Sequence, residues 1–212
     1  MTDELITMLH AHPIFRVVRG GWRDAVDASR SRTRVDNRWN TPDFPALYCC
    51  CSVPVAQAVA LDVFRLAAVM VEDLQPEVRP TLAELSWAGQ VVDVASPDGV
   101  AAAGFPPAYP DGVSKEATRR AASQWHESGH EGVVCRSASI WRRGRGRARW
   151  DGSHELWSEL AIFPLRAANP PREERRQDGF AWLEPATVVG LGEEQWSHGG
   201  PAPARFSESV WL

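Results

Sequence analysis

Cysteine, long apolar runs and an excess of positive charge are all scarce in this chain, and each shortage removes a class of protein. The four cysteines are the consecutive Cys49, Cys50 and Cys51 and the distant Cys135, which is neither a CxxC pair nor a disulfide ladder. On a strand successive side chains alternate faces, so three adjacent thiols cannot converge on one metal, and buried, reduced packing is expected. No window holds the ~20 apolar residues needed to span a bilayer, which argues against a membrane partner. The opening Met1-Thr2-Asp3-Glu4 lacks a basic segment before an apolar core, so a cytoplasmic location is expected. The formal net charge of -4, 23 basic against 27 acidic residues, supplies no general field for nucleic acid or anionic lipid. Anion binding therefore has to be local. No internal repeat is present.

What remains is a hydrophobic content of 44% over 212 residues, enough for one well-buried domain. Residues 14 to 18 (Ile-Phe-Arg-Val-Val) read as an opening strand and 46 to 52 as a second, reached through the turn-like Asn40-Thr-Pro-Asp-Phe-Pro. A helix is predicted from Pro54 to Met70, with Ala58, Leu61 and Phe64 at helical spacing. Residues 81 to 94 read as strand material, 96 to 112 as a Pro- and Gly-rich loop, and 115 to 125 as a helix ending near Gly129 and Gly132. Val133 to Ile140 is predicted to resume as a strand and to pair with 159 to 165. The segment 166 to 212, with Trp182, Trp196 and Trp211, reads as an irregular but packed C-terminal part of the same single domain.

Three constellations carry chemistry. The first is Arg38-Trp39-Asn40, then Tyr48, then Gly132-Val133-Val134-Cys135-Arg136-Ser137, which offers a cation, an aromatic ring and a hydroxyl of the kinds a dinucleotide uses. A guanidinium forks onto two phosphate oxygens, a flat ring packs on nicotinamide or ribose, and a hydroxyl reaches a sugar. Each also has a plain structural reading as ion pair, core filler or strand serine. Arg16, on the opening strand, is either a solvated-face cation or a substrate contact.

The second is His126-Glu127-Ser128-Gly129-His130, which matches HExxH, where two imidazoles one helical turn apart hold zinc and the Glu activates water. Gly129 inside the motif and the strand signal right after it favour a helix terminus instead, with the histidines on the C-terminal dipole and no metal. The third is the Arg-rich run 142 to 149 between Trp141 and Trp150. Arg and aromatics can track a phosphate backbone, but a short run in an acidic chain reads better as a solvated hairpin, so nucleic acid is not the expected partner.

In order, Phe15-Arg16-Val17-Val18, Arg38-Trp39-Asn40, Pro45-Ala46-Leu47-Tyr48, an Ala-rich helix and Gly132-Val133-Val134 leading to Ser137 resemble the RES-domain family, over about residues 14 to 165. The family takes its name from Arg, Glu and Ser, and its members are NAD-consuming bacterial toxins of toxin-antitoxin systems. The resemblance implies an α+β domain similar to ADP-ribosyltransferases, with a mixed or antiparallel β core and flanking helices. It implies NAD as a substrate rather than a cofactor, cleaved at the nicotinamide-ribosyl bond by a glycohydrolase or by a phosphorylase using inorganic phosphate, and a cognate antitoxin that covers the site.

In that frame Arg38, Tyr48 and Ser137 are the catalytic candidates, with Trp39, Asn40 and Arg16 as substrate contacts. Val59 stands where the resemblance places the glutamate, and Asp62, one helical turn on, is the candidate substitute. The alternatives are a catalytically impaired module that binds a nucleotide or protein, and a zinc hydrolase built on His126, Glu127 and His130. Whether the chain is a monomer or a homo-oligomer is left open by the sequence.

Overall fold

A computed structural model describes residues 5–34, 36–67, 74–143, 157–177 and 181–183. Strict alternation of burial along Ile14–Arg19 sends Ile14, Arg16 and Val18 to one face and Phe15 and Val17 to the other, as a two-residue period requires. This is β2, preceded by β1 (Thr7–His10). Next come β3 (Leu47–Cys50), α1 (Val53–Ala67), β4 (Pro80–Ser86), β5 (Gly89–Val94) and α2 (Pro97–Ala102). The remaining elements are α3 (Lys115–Glu127), β6 (Gly132–Arg136), α4 (Ala138–Arg143), β7 (Ser158–Ile162) and β8 (Arg172–Gln177).

The strands form one eight-stranded sheet in the order β1-β5-β6-β7-β3-β2-β4-β8. Only β5 and β6 run parallel, joined by the crossover that carries α2 and α3; every other pair is antiparallel. The α+β class with a mixed sheet and flanking helices is therefore as the sequence led us to expect. Cys49 and Cys51 pack in one core cluster and Cys50 in another, so the thiols alternate faces, and all four cysteines are free and buried.

Four features depart from the sequence reading. The strand material at 81 to 94 divides into β4 and β5, which stand five places apart in the sheet rather than side by side as a short connection would suggest. Only Trp87 and Ala88 join them, a span of at most ~11 Å, whereas five flat strand spacings need ~24 Å. The sheet must therefore curl until these strand ends meet. The predicted strand 133–140 stops at Arg136, because Ser137 caps α4: its Oγ accepts from Ile140 N–H at 3.3 Å and its carbonyl from Trp141 N–H at 2.9 Å. The C-terminal part is not wholly irregular, since β8 pairs with β4. Finally, the loop 96–112 contains α2, whose N-cap Ser96 Oγ accepts from Gly99 N–H at 3.0 Å. Trp196, Trp211 and most of the Arg-rich run lie outside the described residues.

Candidate active site

The cleft begins where the sheet parts. Strand β2 pairs with β4 over six positions, from Ile14↔Leu85 to Arg19↔Pro80, but with β3 at Phe15↔Cys50 alone. Beyond that pair β2 and β3 diverge, and the gap is lined by Arg16 and Val17 from β2, Tyr48, Cys49 and Cys50 from β3, Val59 from α1 and Glu159 from β7. The long loop between β2 and β3 closes the other side with Trp22, Arg30, Ser31, Arg34 and Asn37.

That loop is held by its own buried polar groups. Arg16 Nη1 donates to the carbonyls of Ala25 at 2.6 Å and Asp27 at 2.9 Å. Asn40 is 2% exposed; its Nδ2 donates to Ser31 O at 2.9 Å, and its Oδ1 accepts from Asn37 Nδ2 at 2.9 Å and from the Tyr48 hydroxyl at 2.8 Å. Trp39 N–H donates to that same hydroxyl at 2.9 Å. Left unpaired, each of these groups would cost ~1–3 kcal/mol on burial, so the network makes one loop conformation much cheaper than its alternatives.

The sequence candidates thus divide. Tyr48 and Arg16 line the cleft, the former with its ring, since its hydroxyl is spent on the loop. Asn40 holds the loop. Trp39 belongs to the core, stacked on Trp125 at 5.7 Å with its indole N–H directed to Cys135 Sγ at 3.2 Å. Arg38 is half-buried and does not line the cleft, though its charge favours the ionised forms of the Cys135 thiol and the Tyr109 hydroxyl. Ser137 is fully buried and touches the cleft through Glu159, to whose Oε1 its hydroxyl donates at 2.6 Å. Val59 faces the cleft without a charge, whereas Asp62 is buried on α1 and is not among the lining residues.

Charge in the cleft is arranged unevenly. Burial pulls the Arg16 guanidinium below its ordinary value, and burial together with the neighbouring Arg30 charge does the same to Arg34. Arg30 lies over the Trp22 ring, 4.9 Å from its centroid, and the Trp22 indole nitrogen is buried with no acceptor among the described residues. The thiols are inert by the same logic. Burial pushes Cys49 and Cys135 up to about 12, against Arg16 in the first case and with the Glu159 charge in the second. A raised pKa disfavours the thiolate of Cys49 and Cys135 at neutral pH, which argues against either as a nucleophile.

The HExxH geometry does not form. α3 ends at Glu127, Gly129 takes φ +89°, and His130 N–H turns back to the Trp125 carbonyl at 3.0 Å, so His126 and His130 are not one helical turn apart. Nor does the helix dipole hold His126 charged: its ring stacks on Phe44 at 4.2 Å, and burial, then the Arg166 charge, push its pKa down. Among the described residues no three His, Cys, Asp or Glu side chains gather as metal ligands.

Arg30, Arg34 and Trp22 are charged or aromatic cleft residues that sequence reasoning missed, and Glu159, noticed only as a possible third ligand for the HExxH pair, lines the cleft instead. The arginines sit four apart in a run assigned to no element, and Glu159 is a lone acid in the apolar Leu160-Ala-Ile-Phe strand. A carboxylate inside a strand pattern was the one available signal.

Comparison with known proteins agrees with this architecture. No curated protein sequence matches the chain. Among solved structures, a chain of the M. tuberculosis MbcT-MbcA toxin-antitoxin complex superposes with TM-score 0.59 at 19% identity, covering 82% of this chain and 86% of that one, a likeness of fold. No helix among the described residues is long and apolar enough to cross a membrane. The family model described as RES domain matches residues 13–182, which spans both walls of the cleft and Glu159, and the chain accordingly belongs to the RES-domain family.

Proposed function

We propose that the cleft binds NAD and cleaves its nicotinamide-ribosyl bond, making the protein the toxin of a toxin-antitoxin pair. The observation that carries this reading is the meeting, inside a RES domain, of the Tyr48 ring, the Glu159 carboxylate and the cations Arg16, Arg30 and Arg34 in one cleft. In the reaction the C1′–N bond breaks, neutral nicotinamide leaves with the electron pair, and oxocarbenium character develops on the ribose. An oxygen of water or of inorganic phosphate then bonds to C1′ from the open side.

Each feature meets a demand of that chemistry. Arg30 and Arg34 line the same cleft with the Arg30 charge acting against the Arg34 guanidinium, a concentration of positive charge that suits a pyrophosphate. The Trp22 indole N–H is a donor awaiting an acceptor. The Tyr48 ring offers a flat wall for nicotinamide or ribose, and Arg38, beside Cys135 and Tyr109, adds positive charge behind it. The cognate antitoxin is proposed because the similar fold occurs in a toxin-antitoxin complex; such a partner would act by covering the cleft.

The test is to incubate the purified protein with NAD, with and without inorganic phosphate, and to resolve products by mass. Nicotinamide with ADP-ribose marks hydrolysis, and nicotinamide with an ADP-ribose phosphate ester marks phosphorolysis. Folded protein that binds NAD but releases no nicotinamide would instead establish a binding module, the reading favoured by the uncharged Val59 on the cleft face of α1.

A further inference from the structure

We propose that Glu159 is the carboxylate that faces the reacting ribose, and that Ser137 is its positioning residue. This rests on the reading of the cleft as an NAD-cleaving site. Such a site needs a negative charge near C1′, and the helix wall does not provide one: Val59 lines the cleft and Asp62 does not.

Strand β7 supplies the charge from the opposite wall. Glu159 lies opposite Cys50 of β3 on one side and opposite Cys135 of β6 on the other, so its backbone is fixed by pairing on both edges. Its side chain is half-buried and reaches the same cleft as Tyr48, Val59 and Arg16. The Ser137 hydroxyl at 2.6 Å from Oε1 fixes the carboxylate from behind, and Ser137 is itself locked as the cap of α4.

A carboxylate between two buried thiols on a central strand is costly to place. Burial first, and then the Glu159 charge, raise the pKa of Cys50 and Cys135, so the carboxylate stands close to both thiols in the sheet. A carboxylate fixed at a cleft wall is what stabilising an oxocarbenium requires, because a preorganised charge needs no reorganisation as the cation develops. The pair Ser137 and Glu159 thus performs from the sheet what the helix position, occupied by Val59, does not. The atoms balance without further groups: Glu159 takes up no proton in the step, and the proton released when water or phosphate adds goes to solvent or remains on phosphate.

The experiment compares wild type with Glu159→Gln, Glu159→Asp and Ser137→Ala in nicotinamide release, with NAD binding followed by calorimetry and folding by thermal melting. Glu159→Gln is expected to lower kcat roughly 100- to 1,000-fold, with NAD affinity within about threefold of wild type. Glu159→Asp, which keeps the charge but withdraws it by one methylene, should fall between. Ser137→Ala should lower kcat more than it changes KM and should move the acidic limb of the pH profile upward, because the ionised carboxylate loses a donor. A merely structural serine would leave that limb in place.

Wild-type turnover in folded Glu159→Gln overturns the assignment while leaving the NAD reading intact. If the glutamine variant does not fold, an unmoved acidic limb in Ser137→Ala overturns it equally. A folded wild type that releases no nicotinamide overturns both readings at once.

Discussion

Two regions that share the loop between β2 and β3 use their side chains in opposite ways. Under α3, Trp39, Phe105, Tyr109 and Trp125 close on one another with ring centroids 5.3–6.5 Å apart, joined by Phe44 and Phe163 in the same apolar cluster. Where β2 and β3 part, by contrast, Arg30, Arg34, Trp22 and Glu159 meet an opening. Stability and chemistry are thereby separated within a few residues of sequence: Trp39 serves the first region, whereas Arg34 and Asn37 border the second and Asn40 holds its loop. The lesson is that a residue's neighbours along the chain say little about which region it serves, because the loop crosses between them.

The separation can be broken most strongly at Trp39. Trp39→Ala should cost ~3–5 kcal/mol in urea unfolding, since it opens a cavity among stacked rings and strips the Cys135 thiol of its donor. Retention of full stability would mean the aromatic cluster is not the anchor described. Next in size is alkaline sensitivity of the buried thiols. Their folded pKa values, about 12 for Cys49 and Cys135, lie above the ordinary 9.0, so the stability they confer is complete below pH 9 and is lost as pH rises toward 12. Melting temperatures taken from pH 8 to 11 should fall progressively, and a thiol reagent at pH 8 should label the native protein far more slowly than the unfolded one.

A smaller effect is expected at the hinge between the regions. Tyr48→Phe leaves Asn40 Oδ1 and Trp39 N–H each short of one partner, at ~1–3 kcal/mol, and should weaken NAD binding through the loop while the ring remains in the cleft. On the cleft side alone, Arg30→Gln with Arg34→Gln should reduce NAD affinity about 10- to 100-fold and flatten its salt dependence, with a melting temperature near wild type. Unchanged affinity would move the phosphate site toward Arg38. The smallest change is expected for Asp62→Asn, whose turnover should stay within a few-fold of wild type because Asp62 does not line the cleft.

Much of this was legible in the residues. Period-two burial along Ile14–Arg19, the caps and glycine of α3 and the ordered blocks around Arg38, Tyr48 and Ser137 pointed to the elements and the family, because helix ends, strand faces and motif order are local properties of a chain. Val59 at the glutamate position was equally visible. The roles of Trp39, Asn40 and Ser137 were not, because the same indole, amide or hydroxyl serves a ligand or a protein partner equally well, and only the partner's position decides. Position is set by pairing between distant strands: β7 lies between β6 and β3, and so brings Glu159 to Ser137, 22 residues back in the chain, and to the same cleft as Tyr48, more than a hundred residues back. Periodicity and propensity told of elements one at a time; the parting of β2 from β3, and with it the cleft, exists only once long-range hydrogen bonds have chosen which strands stay together.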